Sequence, residues 1–246
     1  MRLNELRELL IPALQGTRFA AKARFAGGCV RDFLLDPQCE VRDADISVEL
    51  PSGGILLAEF LHESLPVSPP ELHPDFGTAS CVFEGVQLDF AMTRAERYHP
   101  GSRHPRVRFA SLQTDCLRRD FTVNALYQDI VGGETIDPCG HGFDDLRAKT
   151  IRSLRDPLLS FSEDPLRLLR ALRFAAVLGF RIEDNALKAA RECAPLVASL
   201  SMKRREDELL RLQSSADASG LIVWRDLCGY LKLDVYLKLD LSHLGV

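Results

Sequence analysis

The sequence predicts an α+β fold, in which a front part of short strands and short helices is followed by an all-α back part. Two patterns indicate this division. Up to about residue 150, short alternating or β-branched runs are separated by glycine turns. From Ser162 onward, leucine and alanine recur at i, i+3 and i+4, the spacing of amphipathic helices. We therefore expect two domains, residues 1–150 and residues 151–246.

The front part contains an N-terminal helix and five predicted strands. MRLNELRELLIPAL places leucines at helical spacing among acids and bases, which is typical of an amphipathic helix rather than of a signal peptide. Two of the strands form a hairpin that turns at Glu84 and Gly85, and the last strand ends at Gly132 and Gly133. The predicted strands are RFAGG, ADISVEL, GTASCVFEG, VQLDFAMT and TVNALYQDI.

The back part contains three predicted helices, which are separated by breaks at Gly179 and near Ser199 to Ser201. The tail, SGLIVWRDLCGYLKLDVYLKLDLSHL, predicts one or two more short helices, although its YLKLDVYLKLDL alternates almost as a strand would. The three helices are EDPLRLLRALRFAAVLGF, NALKAARECAPLVASL and KRREDELLRLQ.

Composition limits the classes of protein to which the chain can belong. Its 246 residues are 46% hydrophobic, enough for real cores, and no apolar run reaches the ~18 residues of a membrane span. The seven cysteines include no CxxC pair and no zinc-finger spacing, so we expect reduced, buried thiols and no zinc. We expect a cytoplasmic protein that does not bind membranes. Because the net charge is −4, any surface that binds nucleic acid must be local.

A pair of aspartates, Asp43 and Asp45, lies in the predicted strand that contains DADIS. Residues i and i+2 of a strand point to the same side, so the two carboxylates repel each other unless a cation lies between them. Mg²⁺ suits such a pair, because it favours one or two carboxylates plus substrate phosphates. Asp89, in VQLDFAMT, is a third catalytic candidate if its strand neighbours that of Asp45. The alternatives are a polar strand end for the pair and a solvent-facing role for Asp89.

Two glycines, Gly27 and Gly28, open GGCVRDFLL, which predicts the end of a strand, a glycine turn and the start of a helix. Glycine lets a phosphate approach the backbone closely, and the N–H groups of a helix N-terminus can hold phosphate oxygens. The segment is not a P-loop, because no GK[ST] follows. The alternative is an ordinary tight turn.

Five motifs occur in order between about Phe25 and Glu183: GGCVRDFLL with DAD, TRAERY, LRRDFTVNAL, IDPCGHGFDDLRAKTIR and SEDPLRLLRALRFAAVLGF. Together they resemble the class II tRNA nucleotidyltransferases, the CCA-adding enzymes, whose close relatives are the bacterial poly(A) polymerases. The resemblance implies a nucleotidyltransferase head of the DNA polymerase β type with a small mixed β-sheet, followed by an all-α neck. It also implies template-independent addition of CMP and AMP, from CTP and ATP, to the 3′ end of tRNA.

The resemblance assigns roles to residues that match the family's motifs. Asp43 and Asp45 match the catalytic carboxylates that bind the metal, with Mg²⁺ as the cofactor. In RRDFTVNA, the alternative is a purely structural Arg119–Asp120 pair. The expected nucleotide-binding residues are Gly27, Gly28 and Arg31 on the phosphate side, Arg119, Asp120 and Asn124 in RRDFTVNA, and Glu163, Asp164, Arg167 and Arg170 in EDPLRLLR.

Asp164 and Arg167 match the motif that reads the incoming base. C and A share an exocyclic amine beside an unprotonated ring nitrogen, whereas G and U present a carbonyl beside an N–H. An aspartate can accept a hydrogen bond from that amine, and an arginine can donate to the ring nitrogen. Glu163 would orient the arginine through an ion pair. The alternative is that Asp164 caps the following helix, with Pro165 at the first helical position.

The sequence thus predicts a metal-dependent tRNA nucleotidyltransferase that performs CCA addition. The alternatives are a poly(A) polymerase, an enzyme that adds only CC or only A, and a non-catalytic nucleotide-binding or RNA-binding remnant. The family continues into a helical body and tail that grip tRNA, whereas this chain ends soon after KRREDELLRLQ. We therefore expect residues 151–246 to form the neck and a shortened body. The segment Tyr98–Phe109 is a candidate flexible loop.

Overall fold

The computed structural model describes residues 1–97 and 106–237. Most of the predicted flexible loop Tyr98–Phe109 lies outside the described residues, as does the end of the predicted tail from residue 238 onward. In the part of the chain that the structure describes, no helix is both long enough and apolar enough to cross a membrane.

The chain divides into two compact units, and each has its own secondary structure. The first unit contains the sheet, and the second is mostly helical, so the predicted α+β class is confirmed. The first unit consists of residues 1–119 and 123–143, and the second of residues 120–122 and 144–246.

A mixed sheet of seven strands forms the first unit. The strands of this unit in the described part are β1 (Ala23–Ala26), β2 (Asp43–Val48), β3 (Glu71–His73), β4 (Thr78–Phe83), β5 (Val86–Met92), β6 (Arg94–Arg97), β7 (Arg106–Phe109), β8 (Tyr127–Asp129) and β9 (Thr135–Ile136). The sheet has the order β3-β4-β5-β2-β1-β8-β9, and β6 pairs with β7 separately. β2 and β5 are parallel, whereas the other neighbours are antiparallel.

Four of the five predicted strands form largely as expected, and the predicted hairpin joins β4 to β5. Its turn residues Glu84 and Gly85 have φ of 48° and 80°, the left-handed conformations that a two-residue hairpin turn needs. The prediction for TVNALYQDI was wrong in its first half, where Thr122–Asn124 is a 3-10 turn. Thr122 cannot continue a sheet there, because its N–H donates to the carbonyl of Arg152 and its hydroxyl donates to Asp145.

The helices of the first unit cover the hydrophobic faces of its sheet. They are α1 (Leu3–Leu14), α2 (Gly28–Leu35), α3 (Gly53–Ser64) and α4 (Leu112–Leu117). α1 is amphipathic as predicted, because its four buried leucines recur at intervals of three and four residues. α3 packs on β4 and β5, whose inward residues are buried and apolar. These contacts leave the face that carries Asp45 and Asp89 open to solvent.

The second unit is built around a buried helix. Its helices are α5 (Gly142–Arg147), which begins at the end of the first unit, α6 (Pro157–Glu163), α7 (Leu166–Leu178), α8 (Asp184–Cys193), α9 (Met202–Ser215), α10 (Ala218–Leu231) and α11 (Asp234–Leu237). Two short strands, β10 (Thr150–Ile151) and β11 (Arg181–Ile182), form a parallel pair. α7 packs against both α9 and α10 and ends at Gly179, whose φ is 65°.

Two details of the helical prediction differ from the structure. The segment NALKAARECAPLVASL forms α8 followed by a 3-10 helix over Ala194–Ser199, because Pro195 cannot donate the hydrogen bond that would continue the α-helix. The tail segment YLKLDVYLKLDL is helical as far as the structure describes it, with α10 ending at Leu231 and α11 following.

Gly220→Ala tests the packing of α10 on α7. A Cβ at Gly220 would lie 2.6 Å from the carbonyl oxygen of Ala176, a backbone atom that cannot move aside without shifting α7. We expect the free energy of unfolding to fall by roughly 1–3 kcal/mol, the usual cost of overpacking. Chemical denaturation followed by circular dichroism measures this change.

Gly229→Ala is the matched control, because it changes the same residue type in the same helix. A Cβ there meets nothing within 4 Å, and the position is exposed. Alanine is the better helix former, so we expect this variant to be more stable than wild type by roughly 0.5–1 kcal/mol. Equal stability of the two variants would contradict the close packing of α10 on α7.

Candidate active site

Three carboxylates predicted as catalytic meet on two parallel strands. In the register of β2 and β5, Asp45 lies directly opposite Asp89, and Asp43 lies opposite Gln87. All three aspartates are exposed, whereas the residues next to them within each strand are buried. Asp43 and Asp45 therefore project from the same face, as the spacing predicted, and Asp89 projects beside Asp45.

The backbone of the glycine turn that follows β1 lies against the face of the sheet that carries these carboxylates. Ala26, the last residue of β1, pairs with Asp45, and Gly27 follows with φ of 76°. A Cβ at Gly27 would lie 3.0 Å from Nη1 of Arg119 and 3.4 Å from Oδ2 of Asp45. Glycine is required here by both the backbone conformation and the close approach. α2 begins at Gly28, so the N-terminal N–H groups of this helix lie next to the turn.

Arg31 and Asn124, two predicted nucleotide-binding residues, are brought together by the fold. Nη1 of Arg31 donates a hydrogen bond of 2.6 Å to Oδ1 of Asn124. The same guanidinium makes two further bonds, of 2.8 and 2.9 Å, to the carboxylate of Asp32. Arg31 and Asn124 are both buried, at 6% exposure each, so their side chains have fixed positions at the base of α2.

Arg119 occupies the centre of this group of residues. Its Nε donates to the hydroxyl of Tyr127 over 2.9 Å, and its Nη2 donates to Oγ of Ser47 over 3.2 Å. Its Nη1 reaches the carbonyl oxygen of Asn124 at 3.3 Å. Burial lowers the pKa of this guanidinium, but Tyr127, Asp115 and Asp45 raise the pKa by more, so it lies above its usual range. Arg119 therefore stays positively charged beside the carboxylates.

A cavity of about 370 Å³ opens beside Asp45 and Asp89. Its walls combine carboxylates on the strands with guanidinium groups from the segments around them. This mixture suits a ligand that carries both phosphates and bound cations, because the guanidinium groups can pair with the phosphates and the carboxylates with the cations. The charged and hydroxyl side chains that line the cavity include Asp45, Ser47, Asp89, Arg94, Arg118 and Arg119.

The carboxylates provide donors that suit Mg²⁺. Among the described residues, no three His, Cys, Asp or Glu side chains form a metal cluster by themselves. Mg²⁺ is usually bound by one or two carboxylates plus phosphate oxygens and water. Asp43 and Asp45 are such a pair, exposed on one face of β2, and Asp89 lies opposite Asp45. The donor set therefore fits the predicted ion.

Sequence reasoning missed several residues that the structure brings to this cavity. Arg118 and Arg94 line it, and the hydroxyls of Ser47 and Tyr127 hold the guanidinium of Arg119. Asp115 was also missed, although it lies three residues before Arg118, a spacing that brings side chains together on a helix. That spacing was the available signal. Arg94, Ser47 and Tyr127 lie in strands and are brought in by strand pairing, which the local sequence does not reveal.

The second unit contains the remaining candidates, and two of them form an ion pair. Oδ2 of Asp120 accepts hydrogen bonds of 2.7 Å from both Nε and Nη2 of Arg170. Arg170 also lies 3.9 Å from the buried carboxylate of Glu208, which in turn bonds Arg173 over 2.7 Å. Asp120, α7 and α9 are thus joined by a chain of alternating charges.

Asp164 lies between α6 and α7 and has two partners in the structure. Its Oδ1 accepts from the N–H of Leu166, the first residue of α7, over 3.2 Å, although the N-cap is Pro165 and not Asp164 as the alternative predicted. Both of its carboxylate oxygens also accept from Nη2 of Arg204, at 3.1 and 3.3 Å. The carboxylate is about one third exposed, at 34%. It therefore remains accessible to solvent while it makes these hydrogen bonds.

The neighbours of Asp164 contact residues in and just before α6. Glu163 forms a close ion pair with Arg155, and Arg167 donates a hydrogen bond of 3.0 Å to Oγ of Ser160. The predicted helix start is displaced by one residue, because Pro165 is the N-cap and Leu166 is the first residue of α7.

Comparison with known proteins identifies a family model that covers most of the first unit. The model is that of the poly A polymerase head domain, and it matches residues 23–152. The matched region includes β1 with its glycine turn, the three carboxylates and the RRDFTVNA motif. It comprises more than half of the chain.

Curated relatives and a solved structure are similar over most of this chain. The CCA-adding enzyme of Bacillus pumilus is 35% identical over 193 residues, which are 78% of this chain and 46% of that protein. The A-adding tRNA nucleotidyltransferase of Aquifex aeolicus is 38% identical over 207 residues, covering 78% and 24%. The Bacillus stearothermophilus CCA-adding enzyme in complex with CTP has a TM-score of 0.75 at 29% identity, covering 96% and 54%. The chain thus spans less than half the length of these two curated relatives.

Gly27→Ala tests the close approach of the turn to Arg119 and Asp45. Alanine at a positive φ costs about 1–2 kcal/mol, and the added Cβ would also press against Nη1 of Arg119 at 3.0 Å. We expect the free energy of unfolding to fall by more than the backbone cost alone. Denaturant titration of the purified variant gives this value.

Gly85→Ala supplies the matched control for the backbone cost. Its φ of 80° is close to that of Gly27, and a Cβ there meets nothing within 4 Å. The difference in stability between the two variants therefore isolates the steric contact at the site. If both variants lose the same stability, Gly27 is needed only for its backbone conformation and the close approach carries no cost.

Proposed function

Because this chain belongs to the poly A polymerase head domain family, we propose that it is a tRNA nucleotidyltransferase that adds CMP and AMP to the 3′ end of tRNA. CTP and ATP are the proposed donors. The observation that carries the proposal is the alignment of Asp45 with Asp89 on parallel strands, beside a glycine turn and a buried arginine. The name of the similar enzyme from Bacillus pumilus, a CCA-adding enzyme, supports it, and the A-adding enzyme from Aquifex aeolicus supports the addition of AMP.

In the proposed reaction, the terminal hydroxyl of the RNA attacks the α-phosphorus of the nucleotide and pyrophosphate leaves. The residues of the first unit contribute binding and positioning. Gly27 and the N–H groups at the start of α2 approach the phosphates, and Arg119 supplies positive charge beside them. Arg31 and Asn124 hold each other in place and would contact the sugar and phosphates.

Asp43 and Asp45 would hold Mg²⁺, with Asp89 as a further carboxylate. The bound ion would supply positive charge at the attacking hydroxyl and at the leaving pyrophosphate. The protein's own contribution is to keep these carboxylates exposed and on one face of β2 and β5. Replacing any of them with a neutral side chain would weaken both ion binding and charge balance.

Asp164 and Arg167 are the proposed base-reading residues. The amine of C or A would donate to the carboxylate of Asp164, and Arg167 would donate to the ring nitrogen. G and U would present a carbonyl to that carboxylate, and an unpaired buried acceptor costs about 1–3 kcal/mol. The partial exposure of Asp164 supports the proposal, because the carboxylate can be reached from solvent.

A-addition alone is the second candidate function. The A-adding enzyme of Aquifex aeolicus is 38% identical, and a further A-adding enzyme, from Geobacter sulfurreducens, is 42% identical over 171 residues. An enzyme of this type would extend a tRNA that already ends in CC and would leave a tRNA without CC unchanged. Poly(A) polymerase activity and CC-addition alone are distinguished by the same assay.

An extension assay tests the proposed function directly. Labelled tRNA that ends before the CCA sequence, and tRNA that ends in CC, are incubated with Mg²⁺ and each nucleoside triphosphate, singly and mixed. We expect addition of C, C and A, then a stop, because the proposed site accepts only C and A. Sequencing gels resolve each product by one nucleotide.

The products of this assay separate the candidates. A single A added only to the tRNA that ends in CC would establish A-addition, and a long ladder of A would establish a poly(A) polymerase. A halt after CC would establish a CC-adding enzyme. Absence of extension on every RNA, in the presence of measurable CTP or ATP binding, would refute the proposed catalytic function and favour a nucleotide-binding module.

Asp45→Asn tests the role of the strand carboxylates. The change keeps the shape of the side chain and removes its charge, so we expect extension to fall by at least about a hundredfold. Asp36→Asn is the control, because Asp36 is an exposed aspartate that accepts from the N–H of Gln38 in the turn after α2 and lines no part of the cavity. Extension by Asp45→Asn at the rate of the control would rule out a metal-binding role.

Asp164→Ala tests base reading. We expect the preference for CTP and ATP over UTP and GTP to shrink by about tenfold or more, because the acceptor for the amine is lost. Asp156→Ala is the control, since Asp156 is exposed and, like Asp164, accepts a hydrogen bond from a backbone N–H in the first turn of the helix that follows it. An unchanged preference in Asp164→Ala would show that Asp164 has only a structural role.

A further inference from the structure

Asp115, in α4, is a carboxylate that is completely enclosed by the first unit, at 0% exposure. Its Oδ1 accepts hydrogen bonds from Nε of Arg118 over 2.8 Å and from the backbone N–H of Arg94 over 3.0 Å. Its Oδ2 accepts from the hydroxyl of Tyr127 over 2.9 Å and lies 3.7 Å from Nε of Arg119. One buried carboxylate therefore holds four groups from three segments of the chain.

The residues held by Asp115 are the basic wall of the cavity beside Asp45 and Asp89. Arg94, Arg118 and Arg119 all line that cavity, and Asp115 itself does not. Asp115 thus lies behind the arginines and contacts the cavity only through them. Tyr127 extends the arrangement, because its hydroxyl accepts from Arg119 while it donates to Asp115.

The cost of burying this carboxylate is offset by its partners. Burial raises the pKa of Asp115, but Arg118 and Arg119 lower it by more, so the pKa lies below its usual range and the group is ionised at neutral pH. A long arginine side chain loses conformational freedom when it binds a ligand. Arginines that are already held by a fixed carboxylate lose less of it, so they bind an anion more tightly.

We propose that Asp115 is a positioning residue that orients Arg118 and Arg119 toward the polyphosphate of the incoming nucleotide. The inference rests on the proposed function, and it deepens that function by assigning what fixes the arginines. A positioning role for Asp115 differs from a purely structural role in one respect. Loss of the carboxylate should weaken binding of the phosphates even in a protein that is fully folded.

Asp115→Asn is the direct test, with calorimetric titration of the full chain by CTP and, separately, by inorganic tripolyphosphate, both with Mg²⁺. We expect both affinities to fall by about tenfold or more, because the neutral amide no longer fixes the guanidinium groups. Tripolyphosphate lacks base and sugar, so a loss seen with both ligands is a loss of phosphate binding. Circular dichroism at the same temperature establishes that the variant is folded.

Asp129→Asn is the matched control. Asp129 is a partly buried aspartate of the first unit that lies 3.8 Å from Arg24 and accepts from the N–H of Gly132, but it lines no part of the cavity. We expect its affinities for both ligands to match those of wild type. An Asp115→Asn variant that binds CTP and tripolyphosphate as tightly as this control would overturn the inference.

A double-mutant cycle with Arg118→Ala identifies the route by which Asp115 acts. If Asp115 works through Arg118, the losses in CTP-binding free energy of the two single variants should not add up. The double variant should then bind CTP at least about threefold more tightly than additive losses would give. Strictly additive losses would mean that Asp115 does not act through Arg118, and the inference would be wrong for that arginine.

Tyr127→Phe keeps the inference testable if Asp115→Asn does not fold. This change removes only the hydroxyl between Arg119 and Asp115, and leaves both charges in place. We expect about a threefold loss of CTP affinity, the usual size for one hydrogen bond, and unchanged affinity would refute the inference.

The extension assay separates the two proposals: a wild-type chain that extends tRNA while these variants bind normally overturns the positioning role alone. A wild-type chain that neither binds nor extends overturns both.

Discussion

The parallel pairing of β2 with β5 is the constraint on which the candidate site depends. In strands, a shift of register by one residue would turn every side chain to the opposite face, so Asp45 and Asp89 would no longer lie side by side. The buried residues that alternate with them fix the register, because Ala44, Leu88 and Phe90 must face the core. The hydrophobic pattern that stabilises the sheet therefore also places the carboxylates.

Carboxylates that lie together on one face of a sheet need cations nearby, and the fold places one cationic side chain, Arg119, beside them. Arg119 lies against Gly27 and Asp45, where the absence of a side chain on the glycine leaves room for the guanidinium. That guanidinium is itself partly buried and is balanced from behind by Asp115 and Tyr127. Charges therefore alternate from the interior outward to the strand face. An ordered polar network of this kind resists rearrangement, because each member would lose a partner.

Local patterns in the sequence predicted the elements well, and they predicted contacts between distant elements poorly. The hairpin at Glu84, the glycine turn before α2 and the helix break at Gly179 follow from residues within a few positions, and the structure contains all three. The pairing of β5 with β2 joins segments some forty residues apart, and no local pattern specifies it. Asp115 was overlooked for a related reason, since its importance comes from Tyr127 and Arg94 as well as from its own helix.

The charged residues of the second unit divide into two kinds according to what already holds them. Arg170 bonds the carboxylate of Asp120 and lies near the buried Glu208, so moving its guanidinium to a base would take a cation away from two acids. Asp164 is more exposed, and its ion pair with Arg204 lies at the surface, where such pairs contribute only about 0–1 kcal/mol. A base can displace a weak surface partner at little cost. Of the two, Asp164 is therefore the better candidate for the proposed base reading, whereas Arg170 fixes the helix from which Arg167 projects.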